Sequence, residues 1–189
     1  MKNIAIFASG EGTNTQNIID FFISPACGIK VSLIISNNSS ANVLNRAKQA
    51  GIQSIVIDRA TFYNSDHLIE QLKSAHIDLI VLAGFLWKIP DNLIKNFTDK
   101  IINIHPALLP KYGGKGMYGM NVHKAVVDAK EKESGISIHF VNENYDEGQL
   151  IEQHVCSIEP SDTPETVAYK IHRLENEFFP KAIFNLLMN

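Results

Sequence analysis

Cysteine is scarce in this chain of 189 residues. There are two, Cys27 and Cys156, far apart and in no CxxC or Cys/His arrangement. That spacing excludes a disulfide framework and a thiolate metal site, and two ordinary thiols suit the reducing cytoplasm, the expected location. No apolar run approaches the length of a membrane span. The apolar stretch at the N-terminus is short and reads as a first strand, not as a signal peptide. Charge of one sign is lacking too: the net charge of −3 and pI near 6.1 offer no broad surface to nucleic acid or anionic membrane, and leave open only a local basic pocket. Internal repeats, low-complexity tracts and linkers are absent. His67, His76, His123, His139 and His154 keep no metal-ligand spacing, so no metal is expected. What remains is an ordinary globular composition, 45% apolar and 20% charged, long enough for one domain with a substantial core.

Apolar segments at 2–8, 31–35, 52–57, 77–83 and 101–105 read as strands. Helical spacing fills the intervals: from Asn14 through Ile23, then 43–50, 68–75 and 90–97. Such alternation predicts a parallel sheet with right-handed crossovers. Beyond Tyr112 the pattern changes. Residues 113–119, G-G-K-G-M-Y-G, are too rich in glycine to hold a fixed conformation unaided. A helix over 122–130, strands over 136–141 and 150–158, and a last helix with Pro164 at its first position complete the chain. Pro180 is expected to kink or divide that helix.

The chain is organised around residues 101–112, I-I-N-I-H-P-A-L-L-P-K-Y. On a strand, Asn103 and His105 project from one face, and Pro106 ends the ladder directly after them. Two polar side chains thus stand at the carboxyl end of a strand, where open α/β sheets bind ligands. A bland reading competes, in which both are polar residues at a solvated strand end. The apolar neighbours count against it, because unpaired polar groups in a buried strand are costly.

Three further stretches carry chemistry. G-E-G-T-N at 10–14 joins a strand to a helix N-terminus, a place where backbone N–H groups and the helix dipole suit a phosphate. It lacks the lysine of a P-loop and the third glycine of a dinucleotide fingerprint, and a plain capped turn remains the alternative. Glu11 counts against an anion if its carboxylate points inward. N-Y-D-E-G at 144–148 has turn composition, and in a functional reading Asp146 pairs with His105. His172 and Glu175 stand one helical turn apart, an arrangement that an ordinary solvated pair also explains.

These motifs together resemble the phosphoribosylglycinamide formyltransferases, folate-dependent enzymes of purine synthesis. The resemblance rests on A-S-G-E-G-T-N, V-L-A-G-F-L-W, N-I-H-P-A-L-L-P-K-Y-G-G-K-G, S-G-I-S-I-H-F-V with Y-D-E-G-Q, and I-H-R-L-E-N-E-F-F-P, in order over nearly the whole chain. It implies one domain over 1–189 with a Rossmann-like formyltransferase fold: a mostly parallel twisted sheet flanked by helices, with an antiparallel C-terminal hairpin. Residues 1–100 would form the phosphate-binding half and 101–189 the catalytic and folate-binding half. The implied reaction moves the formyl group of 10-formyltetrahydrofolate, the co-substrate, to the amine of a phosphoribosylglycinamide. Asn103, His105 and Asp146 would be catalytic, with Asn103 and a protonated His105 donating to the oxyanion and Asp146 keeping His105 charged. Gly12, Thr13 and Asn14 would hold the phosphate, and Pro106, His172 and Glu175 would contact the rest of that substrate. Leu86, Trp87, Lys88 and Ile89, with Asn103, Val141, Asn142, Glu143, Asn144, Tyr145 and Asp146, would form the folate site. Many relatives carry arginine where Trp87 stands. Residues 113–119 would be a mobile flap over the substrate.

The expected partners are small molecules, without nucleic acid or membrane, and the protein is expected to be a monomer or homodimer. Formyltransferases acting on tRNA or sugars, a formyltetrahydrofolate deformylase and a non-catalytic phosphosugar-binding module are the competing readings. The first two groups bring an additional C-terminal or N-terminal domain that is not expected here.

Overall fold

A computed structural model describes residues 1–188. The chain divides into two compact units, Met1–Ile102 with Phe184–Asn189, and Asn103–Ile183. In the first unit β1 (Lys2–Phe7), β2 (Ile29–Ser36), β3 (Gln53–Val56) and β4 (Ile77–Leu82) alternate with α1 (Thr13–Phe21), α2 (Asn42–Gln49), α3 (Arg59–Asn64), α4 (His67–Ser74) and α5 (Asp91–Asn96). β5 (Ile101–His105) carries the chain into the second unit, which holds α6 (Met120–Asp128), β6 (Glu133–Phe140), β7 (Leu150–Ser157) and most of α7 (Pro164–Met188). The strands hydrogen-bond in the order β3-β2-β1-β4-β5-β6-β7. The β1–β2, β1–β4 and β2–β3 pairs are parallel and β6–β7 is antiparallel, the mostly parallel sheet with a terminal hairpin that the motifs predict.

Burial explains the composition of the strands. Ile4, Ala5, Ile6 and Phe7 of β1 are fully buried, as are Ile34 and Ile35 of β2, and a strand covered on both faces needs continuous apolar sequence. Helices bury one stripe each, as with Leu68, Ile69 and Leu72 of α4. In the second unit, residues 134–139 of β6 are buried throughout, whereas β7 is partly or fully exposed along its length.

Three expectations need correction. α3 lies between the strand read at 52–57 and the helix read at 68–75, in a stretch to which the sequence reading assigns no element. The Asp58 carboxylate caps it, accepting from Thr61 N at 2.9 Å and Thr61 Oγ1 at 2.7 Å. Pro180 does not divide the last helix, which runs unbroken from Pro164 to Met188 with Pro180 buried inside it. Thr163 caps its start, accepting from Thr166 N at 3.3 Å. Finally, the glycine-rich segment is held by specific bonds: Met117 N donates to Gly114 O at 3.1 Å, and Asn121 Nδ2 to Gly116 O at 3.2 Å.

Candidate active site

β5 places the first two site residues. Ile101, Ile102 and Ile104 are buried, and between and after them Asn103 is half-buried and His105 is 3% exposed. His105 Nε2 lies 2.8 Å from the Tyr112 carbonyl oxygen. A carbonyl can only accept, so Nε2 carries a hydrogen and Nδ1 is the nitrogen whose protonation changes. The connection that brings Tyr112 there is anchored on β6. Leu109 N donates to Ser137 Oγ at 2.9 Å, and Ser137 Oγ donates to Ala107 O at 2.6 Å.

Asp146 closes the arrangement. It sits in the left-handed region, φ 56°, on the connection between β6 and β7. Its Oδ2 accepts from Gly114 N at 2.9 Å and faces His105 Nδ1 at 3.6 Å. Its Oδ1 lies 3.4 Å from Asn103 Nδ2 and 3.6 Å from His139 Nε2. Gly113 makes room for it: a Cβ there would stand 3.3 Å from the Asp146 Cβ and 2.6 Å from Leu109 Cδ2. The start of the glycine segment is therefore shaped around this carboxylate. The chain at Tyr112–Gly114 is tied to both His105 and Asp146, unlike the free flap expected.

His139 is the residue that sequence reading passes over. It is 2% exposed, and its Nδ1 lies 2.8 Å from the Phe140 carbonyl, so Nδ1 bears the hydrogen of the neutral ring. The other nitrogen then accepts from Asn103 Nδ2 at 3.2 Å. One amide hydrogen of Asn103 is thus committed to His139, and the second is only loosely engaged by Asp146. The signal was available: His139 is a polar residue in an apolar strand, as His105 is.

The electrostatics correct one expectation. Burial lowers the His105 pKa, and although Asp146 and the Tyr112 carbonyl work the other way, burial prevails. Asp146 therefore does not keep His105 charged in the free protein. On Asp146 itself burial pushes the pKa up, but the His139 and His105 rings that face it and the Gly114 N–H together hold it below the usual value. The resting site is an ionised carboxylate beside a neutral imidazole.

In the first unit, the loop after β1 brings Gly12 to the N-terminus of α1 with φ 71° and no side-chain cap. Glycine is required there: a Cβ would lie 2.7 Å from Val43 Cβ. Thr13 and Asn14 open the helix, at the end where the positive pole of its dipole lies. The Glu11 carboxylate accepts from Asn42 Nδ2 at 3.2 Å, and its backbone oxygen accepts from Arg46 Nε at 2.7 Å. Its negative charge is thus directed onto α2, which removes the objection to an anion.

On α7, His172 Nδ1 lies 2.9 Å from Glu175 Oε2. That hydrogen bond, opposed by burial, raises the His172 pKa. Glu175 is 5% exposed, so the pair is not the fully solvated one that spacing suggests. Trp87 joins Phe62, Tyr63 and Phe85 in an aromatic cluster, with the Arg59 guanidinium 5.8 Å from its ring centre. Leu86 is exposed and donates its N–H to Ser9 Oγ at 2.9 Å, while Lys88 and the buried Ile89 line an open cleft of about 530 Å³ together with Tyr63, Asp66 and Asn92. Pro106 and the stretch 141–146 follow β5 and β6, and Glu143, Asn144 and Tyr145 are exposed.

Residues 2–183 match the formyl transferase family. The chain belongs to that family. It is 39% identical to the phosphoribosylglycinamide formyltransferase of Haemophilus influenzae, over 97% of this chain and 86% of that protein. The chloroplastic phosphoribosylglycinamide formyltransferase of Arabidopsis thaliana is 36% identical over 96% of this chain, which spans 64% of that longer relative. The crystal structure of phosphoribosylglycinamide formyltransferase from Bacillus halodurans superposes with a TM-score of 0.88 at 34% identity, covering 100% of this chain and 96% of that one. Family membership accounts for the Rossmann-like sheet. Among the described residues no helix is long and apolar enough to cross a membrane, and no group of His, Cys, Asp and Glu is arranged to hold a metal ion.

Proposed function

We propose that this formyl transferase moves the formyl group of 10-formyltetrahydrofolate to the amine of phosphoribosylglycinamide, a step of purine biosynthesis that yields formyl-phosphoribosylglycinamide and tetrahydrofolate. The observation that carries the reading is one carboxylate, Asp146, within 3.6 Å of the polar ends of Asn103, His105 and His139.

The chemistry follows from the hydrogen positions. His105 begins neutral, with Nε2–H given to Tyr112 and a lone pair on Nδ1. The substrate amine adds to the formyl carbon, and the carbonyl π pair becomes an oxyanion. Nδ1 takes the amine proton, and the new imidazolium is stabilised by Asp146, as the carboxylate of a Ser-His-Asp triad stabilises its histidine. The Asn103 hydrogen that leaves its long bond to Asp146 and the Nδ1–H of His105 donate to the oxyanion. The proton then passes to the folate nitrogen, directly or through water. The carbon–nitrogen bond to folate breaks, and the oxyanion collapses to the new formamide. A base whose pKa lies below the ordinary histidine value is present in its working form at pH 7.

Gly12, Thr13 and Asn14 hold the substrate phosphate on the amides opening α1, and Pro106, His172 and Glu175 contact its ribose and glycinamide. Leu86, Trp87, Lys88 and Ile89 with Asn103 and 141–146 take the folate. Trp87 supplies an aromatic face and brings Arg59 beside it, which suits a planar, anionic ligand. Two free thiols, Cys27 and Cys156, suit a reducing cytoplasm.

Incubation with both substrates, followed by the ultraviolet absorbance of released tetrahydrofolate and the mass of the formylated ribotide, tests the assignment. Formate release without an acceptor points instead to a deformylase. Ribotide binding without turnover points to a binding module.

A further inference from the structure

We infer that Glu131 is a positioning residue for formyl transfer: through the Tyr112 side chain it holds the Tyr112 carbonyl on His105, and so keeps the lone pair of that ring on Nδ1. The inference rests on the reading of His105 as the base. Tyr112 OH donates to Glu131 Oε1 at 2.9 Å, and the Tyr112 carbonyl accepts from His105 Nε2 at 2.8 Å. One residue thus joins a carboxylate at the end of α6 to the imidazole at the end of β5.

The carbonyl needs an anchor, because the peptide that carries it has little of its own to fix it. Tyr112 lies in the left-handed region, φ 56°, which a residue with a large side chain seldom adopts. Gly113 follows, and a glycine does not restrict the peptide that precedes it. Relaxation of Tyr112 to an ordinary conformation would reorient that peptide and take its carbonyl off His105. The neighbouring backbone is tied on either side, Leu109 N to Ser137 Oγ at 2.9 Å and Gly114 N to Asp146 Oδ2 at 2.9 Å. Between these ties the Tyr112 side chain is held by Glu131.

Glu131 is itself fixed. Past the end of α6, Lys130 stands at φ 53°, its N–H donates to Val127 O at 2.9 Å, and Glu131 N donates to Val126 O at 3.3 Å. Paired bonds of this kind close a helix and set the course of the residue after it. Lys111 Nζ reaches the same Oε1 at 2.9 Å, and the bonds from Lys111 and Tyr112 hold the Glu131 carboxyl below its ordinary pKa. The Tyr112 phenol is pushed up, first by burial and then by Glu131, so it stays a donor. The Lys111 side chain is 67% exposed, and an ion pair so open to water contributes little. The phenol bond is therefore the one that reaches His105.

Nitrogen-15 NMR of the histidine rings, on the full chain without substrates, reads the tautomer directly. In the wild-type protein the neutral His105 ring should carry its hydrogen on Nε2. Tyr112→Phe and Glu131→Ala should each populate the Nδ1–H form, whose hydrogen turns toward Asp146. Each should also lower kcat roughly tenfold with KM nearly unchanged, a fraction of what a positioned base supplies. The His105 pKa should fall in both, because the Tyr112 carbonyl raises it, while Asp146, His139, Glu175 and His123, whose charges also act on that ring, are unaltered. Glu131→Gln still accepts from the phenol and should recover the tautomer and most of the turnover, and Lys111→Ala should change neither. Combining Tyr112→Phe with Glu131→Ala should cost no more than either alone. A ring that stays Nε2–H in both single variants overturns the inference, whatever happens to Tm. So does a loss that Glu131→Gln shares in full, or losses that multiply in the double variant. Failure of the underlying reading looks different: the wild-type protein itself then transfers no formyl group.

Discussion

His105 Nδ1 faces the carboxylate of Asp146 at 3.6 Å, and the imidazole pKa is nevertheless lowered. Removing a ring that is 3% exposed from water costs the charged form more than the nearby carboxylate returns. With Nε2–H fixed on the Tyr112 carbonyl, the proton that comes and goes is on Nδ1, the nitrogen that faces Asp146. The site therefore starts as a base and becomes a donor only after accepting a proton.

Both ends of that cycle can be removed singly. Asn103→Ala deletes an oxyanion donor and should raise the barrier by about 2.7–4 kcal/mol, read as a 10²–10³-fold loss of kcat. His105→Ala should cost at least as much, with KM for both substrates changed far less. The double variant should fall well short of the product of the two losses, since both groups serve one intermediate. Near-normal turnover in either single variant removes that residue from the mechanism.

Thr13→Ala combined with Asn14→Ala should raise KM for the ribotide and leave the folate KM nearly unchanged. Thr13 and Asn14 open α1, which starts at a left-handed glycine and has no side-chain cap of its own. Steady-state kinetics with the ribotide and with its dephosphorylated form check this. Equal losses for the two forms would place the phosphate elsewhere.

Gly148→Ala should destabilise the fold without altering the chemistry directly. A Cβ at that position would run into the Phe140 carbonyl oxygen, a backbone atom that cannot step aside. Overpacking of this kind costs about 1–3 kcal/mol, and for a chain of this size each kcal/mol lowers Tm by roughly 2–4 °C. Thermal unfolding followed by circular dichroism measures it. An unshifted Tm would mean that the connection from β6 to β7 relaxes freely.

Much of this arrangement was legible before any coordinates. β5 falls on 101–105 as the apolar run and Pro106 demand, and Asn103, His105 and Asp146 come together although 43 positions separate Asn103 from Asp146. α3 was not legible, because its six residues are too few for a periodic stripe and a lone Asp58 does not mark a cap by itself. The sign of the His105 shift was not legible either: a motif names the carboxylate partner but not the depth of burial that outweighs it. The place of His139 in an apolar strand is visible in the sequence, but its contact with Asn103 is not, since that needs the fold to bring β6 beside β5.

The dependence of kcat/KM on pH, compared between the wild-type protein and Asp146→Asn, tests most directly whether a neutral His105 backed by Asp146 drives formyl transfer. An ordinary histidine titrates at about 6.5, and burial sets His105 below its ordinary value. Activity that needs the neutral base is full above that pKa and is lost as pH falls through it. Asp146 is the largest influence raising that pKa, so removing its charge must lower it further. The acid limb of Asp146→Asn should therefore lie at lower pH than in wild type, and its plateau should be reduced, because the imidazolium formed during attack has lost its counter-charge. Titration of the substrate amine is common to both proteins and cancels in the comparison. An acid limb that stays in place, or a fall at high pH that moves toward acid in the variant, would contradict the account.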